Sequence, residues 1–449
     1  MINQMQRTLI KHAKIVNEGV IFEGDILIDD DKIIEVSESI SAKPNDNIID
    51  AEGNFVLPGV IDDQVHFREP GLTHKANIGT ESKAAIAGGI TSFIEMPNTN
   101  PQTTTIEALD NKFAVAKATS YANYSFMFGG TNDNLDEILK VNPKEVAALK
   151  LFLGSSTGNM LVDNPDVLRK IFSSTDLLIA VHCEDEETIR LNTKKHIELF
   201  GDDIPIKYHP IIRSEDACYL SSSRAIKLAK ETGARLHVFH LSTAKETNLF
   251  TNKIPLSEKK ITAEVCIHHL WFTDTDYDKK GTHIKWNPAV KSVNDRDGLW
   301  KALLDDRIDV IATDHAPHTL EEKNNSYLKA PSGGPLVQHA LPAMLENFHK
   351  GVISLEKIVE KMCHNPAILF DVEKRGFIKP GFYADLVIVN LNHPWTVTKE
   401  NILYKCGWSP FEGTTFKARV SHTILNGRLV YENFKVSEQK AAMRLTFDR

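Results

Sequence analysis

The chain has 449 residues, of which 42% are hydrophobic and 25% charged, a composition typical of soluble globular proteins. This length is too great for one ordinary compact core, and it favours a large domain accompanied by a smaller one. The net charge of −8 and the pI near 6.1 argue against nucleic acid or an anionic membrane as partner. Any anionic substrate would have to be bound by local positive groups.

The ends of the chain and its cysteines bear on the cellular compartment. The N-terminal residues lack the continuous apolar segment of a signal peptide, and no run approaches the length of a membrane span. The five cysteines are dispersed and form no CxxC pair, which is typical of reduced thiols. We therefore expect a cytoplasmic protein.

The first predicted elements are short antiparallel strands. Residues 7–50 alternate between apolar and polar side chains around tight turns, as half-buried strands do. The same alternation returns near the C-terminus in "YADLVIVNL" and "ARVSHTILNGRLVYEN". Both ends together predict a small β-sandwich domain of residues 1–55 plus 375–449.

The middle of the chain repeats an architecture of strand and helix. A helix is clearest in "SEDACYLSSSRAIKLAKETG", with Ser214 as N-cap and Gly233 as its stop. About eight apolar runs predict buried parallel strands, the number that a closed (β/α)8 barrel of the TIM type requires. We therefore predict an α/β fold with this barrel over residues 56–374. The runs are "FVLPGVIDDQVH", "TSFIEMPN", "YSFMFGG", "VAALKLFL", "LLIAVHCE", "RLHVFHLS", "ITAEVCIHH" and "DVIATDHAPH".

The stretch "VIDDQVHFREPG" carries polar side chains on an otherwise apolar strand. Side chains two residues apart share a face, so Asp62, Gln64 and His66 are expected to point together. Burying them is costly without a partner, and a metal ion would be such a partner. In a His-x-His metal pair, however, the first position would be His rather than Gln64.

Polar residues recur where the predicted strands end. In a barrel of this type the C-terminal strand ends form one rim, which carries the chemistry. Imidazole and carboxylate groups on that rim suit divalent cations. Taken singly, each residue has a structural alternative, such as a hydrogen-bonded histidine or a helix cap. The rim residues are His66, Asn98, Lys150, His182, His240 and Asp314.

Other candidates would bind substrate rather than metal. Arg68 lies two residues after His66, and its guanidinium suits a carboxylate in bidentate geometry. Asn287 and His318 are further polar anchors, although each alone is more typical of a structural role. We find no Walker loop and no dinucleotide-binding fingerprint.

At this point the motifs resemble those of dihydroorotases, which are cyclic amidohydrolases of pyrimidine biosynthesis. The resemblance runs from Pro58 to Pro335 in order and spacing, and later segments extend it almost to the end of the chain. It implies a metal-dependent barrel with a small β domain. The motifs are "PGVIDDQVHFREPG", "EMPNT", "KLFLG", "VHCE", "HVFHLS", "EVCIHHL", "NPAVKS", "ATDHAPH" and "KAPSGGP".

The resemblance also implies a role for each site residue. His66 would bind a first metal, His182 and His240 a second, and a carboxylated Lys150 would bridge them. Asp314 would be both a metal ligand and the catalytic acid/base. The implied cofactor is Zn²⁺, one or two per subunit. The implied substrate-binding residues are Arg68, Asn98, Asn287, His318, Ser332 and Gly333.

Two residues depart from the family pattern. Gln64 stands where the family has the first His of His-x-His, and a carboxamide oxygen is a poorer metal donor than imidazole. We therefore expect a weakened first metal site rather than a lost one. Ser332 stands where a bulkier residue is common, which changes the shape of the pocket.

The leading functional hypothesis is reversible hydrolysis of L-dihydroorotate to N-carbamoyl-L-aspartate. Hydantoinase or allantoinase activity is an alternative, but those substrates lack the ring carboxylate that Arg68 and Asn98 would bind. A non-catalytic paralogue that scaffolds aspartate carbamoyltransferase is another, supported only by Gln64. The resemblance also implies a homodimer and allows association with aspartate carbamoyltransferase.

Overall fold

The computed structural model describes residues 7–154 and 159–449, and the fold combines β-strands with α-helices. The strands are β1 Arg7–Asn17, β2 Val20–Asp29, β3 Lys32–Ser37, β4 Asn47–Asp50, β5 Phe55–Pro58, β6 Val60–Val65, β7 Ile90–Glu95, β8 Asn123–Phe126, β9 Phe128–Gly129, β10 Leu149–Phe152, β11 Ile179–His182, β12 Leu236–Val238, β13 Ile261–Cys266, β14 Val310–Ala312, β15 Leu386–Asn390, β16 Trp395–Thr396, β17 Thr415–Phe416, β18 Arg419–Leu425, β19 Arg428–Glu432 and β20 Lys435–Val436.

Most helices lie between the strands of the middle segment. They are α1 Ile78–Ala87, α2 Ile106–Thr119, α3 Leu135–Ile138, α4 Pro165–Ser174, α5 Glu186–Phe200, α6 His209–Ile212, α7 Glu215–Thr232, α8 Ile267–Trp271, α9 Tyr277–Lys280, α10 Val293–Leu304, α11 Leu320–Lys323, α12 Ala340–His349, α13 Leu355–Val359 and α14 Asn365–Leu369. The predicted helix is confirmed as α7: the Ser214 side chain accepts a hydrogen bond from the Ala217 N–H, and Gly233 ends the helix in the left-handed conformation.

The middle strands pair in parallel, and each of the eight predicted runs contains at least one of them, with β8 and β9 sharing the run "YSFMFGG". They form a three-stranded sheet, β6–β7–β8, and a six-stranded sheet in the order β14, β13, β12, β11, β10, β9. β8 and β9 are separated only by Met127. Buried side chains fill these strands on both faces, as the continuous apolar runs predicted.

The two parallel sheets also approach each other at their other edges. An isolated parallel bridge joins Val65, at the end of β6, to His315, just after β14. The backbone N–H of His66 donates to the carbonyl of His315 at 2.7 Å. The described ladders form two sheets rather than one continuous ring.

The first predicted run divides in two at Gly59. β5 pairs with β1 and β15, whereas β6, which begins one residue later, pairs with β7. A Cβ on Gly59 would lie 2.1 Å from Oγ1 of Thr91, so only glycine fits where the chain passes between the sheets. One continuous apolar run of the sequence thus forms strands in two different sheets.

Both ends of the chain contribute to a single nine-stranded sheet. Its order is β20, β19, β18, β15, β5, β1, β2, β3, and β4 pairs separately with β1. Its buried face includes Ile10, Ile26, Val56 and Ile388. Residues 443–449 lie against the parallel strands, where Leu445 is fully buried and its N–H donates to the Tyr124 carbonyl at 2.9 Å.

Two further observations concern the expectations about membranes and thiols. No helix in the described part of the chain combines the length and apolarity needed to cross a membrane. All five cysteines are free thiols, and four of them are buried.

Candidate active site

A cavity of about 280 Å³ lies at the C-terminal ends of the parallel strands. Phe152, Trp286, Ala316 and Pro331 contribute to its wall. A larger groove of about 580 Å³ elsewhere is lined by none of the predicted site residues. All twelve predicted residues line the first cavity: Gln64, His66, Arg68, Asn98, Lys150, His182, His240, Asn287, Asp314, His318, Ser332 and Gly333.

His182 and His240 face each other from the ends of β11 and β12. Nδ1 of His182 lies 3.0 Å from Nε2 of His240, and Nε2 of His182 lies 3.0 Å from the buried carboxylate of Glu184. A carboxylate at Nε2 favours a proton there, which leaves the Nδ1 lone pair directed at His240. Burial, followed by the charge of His182, lowers the pKa of His240 well below its usual value, so this imidazole is neutral. Neutral imidazoles are metal ligands.

His66 and Asp314 form the opposite side of this group. Nε2 of His66 lies 3.3 Å from Oδ1 of Asp314, and Nδ1 of His66 lies 2.8 Å from Oδ1 of Asn98. Asn98 therefore orients the His66 ring with Nε2 toward the cavity. Burial raises the pKa of Asp314 to about 7, with Lys150 the strongest opposing charge. Imidazoles and a carboxylate in one cavity are a donor set that fits a divalent cation.

Lys150 lies on β10 with its side chain almost completely buried. Its Nζ is 4.0 Å from the ring centroid of Phe239 and 4.9 Å from that of Phe152. Burial lowers the pKa of Lys150 to about 7. The neutral amine, which is the nucleophilic form of lysine, is therefore well populated near neutral pH.

Gln64 is buried beside the cavity and contacts a cysteine. Its Oε1 lies 3.6 Å from Sγ of Cys266, at the end of β13. The same thiol lies 3.3 Å from Oε1 of Glu264. The Gln64 amide oxygen thus has a protein contact with which a metal would have to compete.

Arg68 places a buried guanidinium at the cavity. Its Nε donates to the Pro317 carbonyl at 3.0 Å, and its Nη2 lies 3.0 Å from Nε2 of His318. Among the residues that the structure describes, no carboxylate forms an ion pair with Arg68. Nζ of Lys75 lies 3.0 Å from Nδ1 of His318, so a second cation approaches the same ring. Lys75 is itself paired with Glu322, Nζ to Oε1 at 2.9 Å, whereas the charge of Arg68 is not paired with any described carboxylate.

A loop at residues 331–334 closes the cavity opposite the metal-binding candidates. Oγ of Ser332 donates to Oδ1 of Asn287 at 2.9 Å, and the Ser332 carbonyl lies 3.0 Å from Nε2 of His318. The buried ammonium of Lys323 donates to the carbonyls of Pro331 and Gly333, at 2.9 and 2.7 Å. The contacts with Lys323 hold the backbone of this loop in place.

Several site residues hold unusual backbone conformations. Arg68, His240 and Asp314 have φ values of 68°, 39° and 48°. Non-glycine residues rarely adopt this region, and such strain clusters at functional sites. Periodicity in the sequence gives no signal for it, since it depends on the surrounding fold.

Sequence reasoning missed some residues that support the site. Glu184 bonds His182 and also accepts a hydrogen bond from Arg213, which keeps the pKa of Glu184 at about 2 despite its burial. A signal was present, because Glu184 lies two residues after His182. Lys323, by contrast, looks like a surface lysine of a short polar helix.

Comparisons with known proteins identify the family. The Amidohydrolase family model matches residues 55–430. A dihydroorotase of Halobacterium salinarum is 33% identical over 433 residues, covering 94% of this chain and 98% of the relative. A dihydroorotase of Carboxydothermus hydrogenoformans is 35% identical over 437 residues, with 94% and 98% coverage. The chain belongs to the dihydroorotases of the amidohydrolase family.

The fold of this chain is also similar to that of a solved structure. The L-hydantoinase (dihydropyrimidinase) from Arthrobacter aurescens aligns with a TM-score of 0.93 and 30% identity over 99% of this chain and 100% of that one. The dihydroorotase family thus shares its fold with hydantoinases. The contents of the cavity, rather than the fold, must decide between their substrates.

Proposed function

We propose that the chain hydrolyses L-dihydroorotate reversibly to N-carbamoyl-L-aspartate, a step of pyrimidine nucleotide biosynthesis, in the cytoplasm. The observation that carries this proposal is Arg68. It is a buried cation at the cavity, with no ion pair to any described carboxylate. A buried guanidinium without a counter-ion is costly, and the carboxylate of dihydroorotate would supply one in bidentate geometry.

The residues of the cavity fit a divalent cation. His66 and Asp314 would hold one ion, and His182 and His240 would hold another, with Lys150 between them. We propose Zn²⁺, one or two per chain, because imidazole and carboxylate ligands suit it. When bound, the cation supplies Lewis acidity and makes water available as a nucleophile near neutral pH.

Lys150 is proposed to react with carbon dioxide and become a carbamate. Its burial and lowered pKa keep the neutral amine available, and the carbamate anion would replace a positive charge among metal ligands by a negative one. We expect Lys150→Ala to lose bound metal and activity, with partial restoration by short carboxylates or bicarbonate. A high-resolution density map with an unmodified amine in the metal-loaded protein would contradict this role.

The remaining chemistry belongs to the protein's own side chains. Arg68 binds the ring carboxylate and His318 supports its guanidinium, which fixes the scissile carbonyl against the imidazole cluster. Asp314 accepts a proton from the attacking water and transfers it to the ring nitrogen as the amide C–N bond breaks. Asn98 holds His66 in the required orientation through the contact between Oδ1 and Nδ1. We therefore propose that Asn98 positions His66 in addition to binding substrate.

The proposal extends to architecture and assembly. We propose that the eight parallel strands close into a (β/α)8 barrel over residues 56–374, with a β-sandwich domain from residues 1–55 and 375–449. The bridge between Val65 and His315 supports closure. We also propose a homodimer that is able to associate with aspartate carbamoyltransferase. Sedimentation of the purified chain, alone and with that enzyme, tests both.

The decisive experiment is a substrate comparison on metal-analysed protein. Dihydroorotate, hydantoin and allantoin would be assayed with the same preparation. We expect kcat/KM for dihydroorotate to exceed the others by at least about 100-fold, because only it carries the carboxylate that Arg68 binds. A preference for hydantoin or allantoin would favour the alternative enzyme. Full metal occupancy without turnover on any of them would favour a scaffolding role.

A further inference from the structure

A second cluster of metal-ligand side chains lies beneath the cavity, and the dihydroorotase reaction leaves it unexplained. Asp63 on β6, His237 on β12 and Glu264 on β13 bring their ligand atoms within 4.8 Å of one another. All three side chains are fully buried. None of them lines the catalytic cavity, so they form a separate site within the described residues.

The tautomer of His237 is fixed by its neighbours. The Thr262 hydroxyl donates to the Leu236 carbonyl at 3.3 Å, so it accepts from Nδ1–H of His237, 2.8 Å away. The lone pair of His237 is then on Nε2. That atom faces Oδ2 of Asp63 at 3.5 Å and Oε2 of Glu264 at 3.8 Å.

These distances are longer than hydrogen bonds and match the edges of a metal coordination sphere. Hydrogen bonds between nitrogen and oxygen measure roughly 2.7–3.2 Å. Ligands about 2.1 Å from a tetrahedral zinc ion are about 3.4 Å apart. Both Asp63 oxygens, Nε2 of His237 and Oε2 of Glu264 are buried without a hydrogen-bond partner. Three neighbouring side chains thus bring unpartnered donor atoms within 4.8 Å of one another.

Charge leads to the same conclusion. With His237 neutral, the three side chains are lone-pair donors, two of them carboxylates, and they repel one another in an apolar interior unless a cation or a proton lies between them. A divalent ion would make the group electrically neutral. Protons are the competing occupants: burial and then the charge of Asp63 raise the pKa of Glu264, and although burial lowers the pKa of His237, contacts with Asp63 and Glu264 raise it to about 9.

We propose that Asp63, His237 and Glu264 bind a structural divalent transition-metal ion, with Zn²⁺ the fitting choice. The Asp63 carboxylate, His237 Nε2 and Glu264 Oε2 would supply three protein ligands, and none of the three residues lines the catalytic cavity. The site is closed, as structural zinc sites are. Its nearest connection to the active site is Glu264, whose Oε1 accepts from the His240 backbone N–H at 3.1 Å. The ion thus positions a residue of the catalytic cavity.

The test uses the full-length chain produced with Zn²⁺ as the supplied metal. Anomalous diffraction above and below the zinc edge should give a peak about 2 Å from Nε2 of His237, in addition to any peak in the cavity. After chelator treatment that strips the cavity, one zinc per chain should remain, because the inner site has no opening. Absence of the inner peak in zinc-loaded crystals would overturn the proposal.

Matched variants separate this site from the catalytic one. Asp63→Asn should remove one tightly held zinc per chain, whereas Asp62→Asn, a buried neighbour bonded to Thr313, should retain it. His182→Ala should lose cavity metal and keep the inner ion. Equal zinc content in Asp63→Asn and the unsubstituted chain would contradict the site. If Asp63→Asn does not fold, the anomalous map alone decides. Hydrolysis of dihydroorotate is measured in a separate assay. If no hydrolysis is found, the proposed enzymatic activity is wrong, but the proposed inner metal site is not contradicted.

Discussion

Arg68 extends from the end of β6 into the cavity, where its described hydrogen bonds go to the Pro317 carbonyl and to His318. Burial lowers its pKa to about 10, so it remains charged at neutral pH. Because these hydrogen-bond partners are neutral, the charge of Arg68 is available to bind an anionic ligand. We propose that this residue separates dihydroorotate from cyclic amides that carry no carboxylate.

Removing the guanidinium should impair substrate binding and leave the metal centre intact. We expect Arg68→Ala to lower kcat/KM for dihydroorotate by at least about 2–3 kcal/mol, or roughly 30- to 150-fold, because a charged hydrogen-bonded pair is lost. Metal content should not change. Steady-state kinetics and metal analysis measure both. Arg296→Ala, which removes an arginine paired with Asp297 outside the cavity, is the matched control. Near-normal turnover by Arg68→Ala would refute the substrate assignment.

Gln64 and Ser332 are the two cavity residues at which the chain departs from the family pattern, and Gln64 is the one among the metal-binding candidates. Its amide oxygen is 3.6 Å from Sγ of Cys266, so metal binding by Gln64 would have to compete with that contact. We expect Gln64→His to tighten the weaker cavity metal, since imidazole is the better donor. Titrating Zn²⁺ into both apo-proteins gives the two dissociation constants. Identical constants would mean that the side chain at position 64 is not a ligand.

The loop at residues 331–334 is the element that shapes the substrate side of the cavity. Lys323 holds it by two carbonyls, and Gly333 adopts φ 122°. A Cβ at Gly333 would lie 2.5 Å from the Ala316 carbonyl oxygen and 3.3 Å from Nε2 of His318. The loop therefore tolerates no side chain at this point.

Gly333→Ala should displace this loop and disturb His318 behind Arg68. We expect a higher KM for dihydroorotate and a loss of about 1–3 kcal/mol in the free energy of unfolding. Gly351→Ala is the matched control, since Gly351 also has positive φ but a Cβ there meets nothing within 4 Å. Its cost should be smaller, with KM unchanged. The same KM in Gly333→Ala as in the parent would show that the loop does not shape the substrate site.

The sequence predicted the strands well because their signals are local. Apolar runs and the polar residues that end them identified the parallel strands and the rim, and Ser214 and Gly233 marked one helix correctly. The division at Gly59 could not be predicted, because it depends on pairing with β15, hundreds of residues away. The partners of His237 were likewise hidden, since Asp63 and Glu264 lie on two other strands, β6 and β13.

At the scale of the whole molecule, a buried polar network joins the nine-stranded sheet to the parallel strands. Asp385 pairs with Arg375, accepts from Nδ2 of Asn123 at 3.1 Å, and accepts from the backbone N–H of Asn426 at 2.8 Å. Asn123 belongs to β8, whereas Asp385 directly precedes β15. One carboxylate thus connects two sheets.

Asp385→Ala should weaken that connection more than the loss of a surface ion pair would. We expect a loss of about 3–5 kcal/mol in the free energy of unfolding, because Arg375 would remain buried and unpaired. Asp30→Ala, which breaks a half-exposed pair with Arg428, should cost about 1 kcal/mol or less. Urea titration followed by circular dichroism compares the two. Equal losses of unfolding free energy in Asp385→Ala and Asp30→Ala would mean that the buried network stabilises the protein no more than a surface ion pair does.

The place of β5 between β1 and β15 also has a consequence for the newly made chain. Its neighbour β15 leaves the ribosome about 330 residues later, which is on the order of half a minute at usual rates of synthesis. During that interval an apolar strand edge has no partner, and such edges pair readily with other chains. Translation stalled between β5 and β15 should therefore yield aggregation-prone fragments, and chaperones that bind extended apolar segments should engage this chain before its synthesis ends.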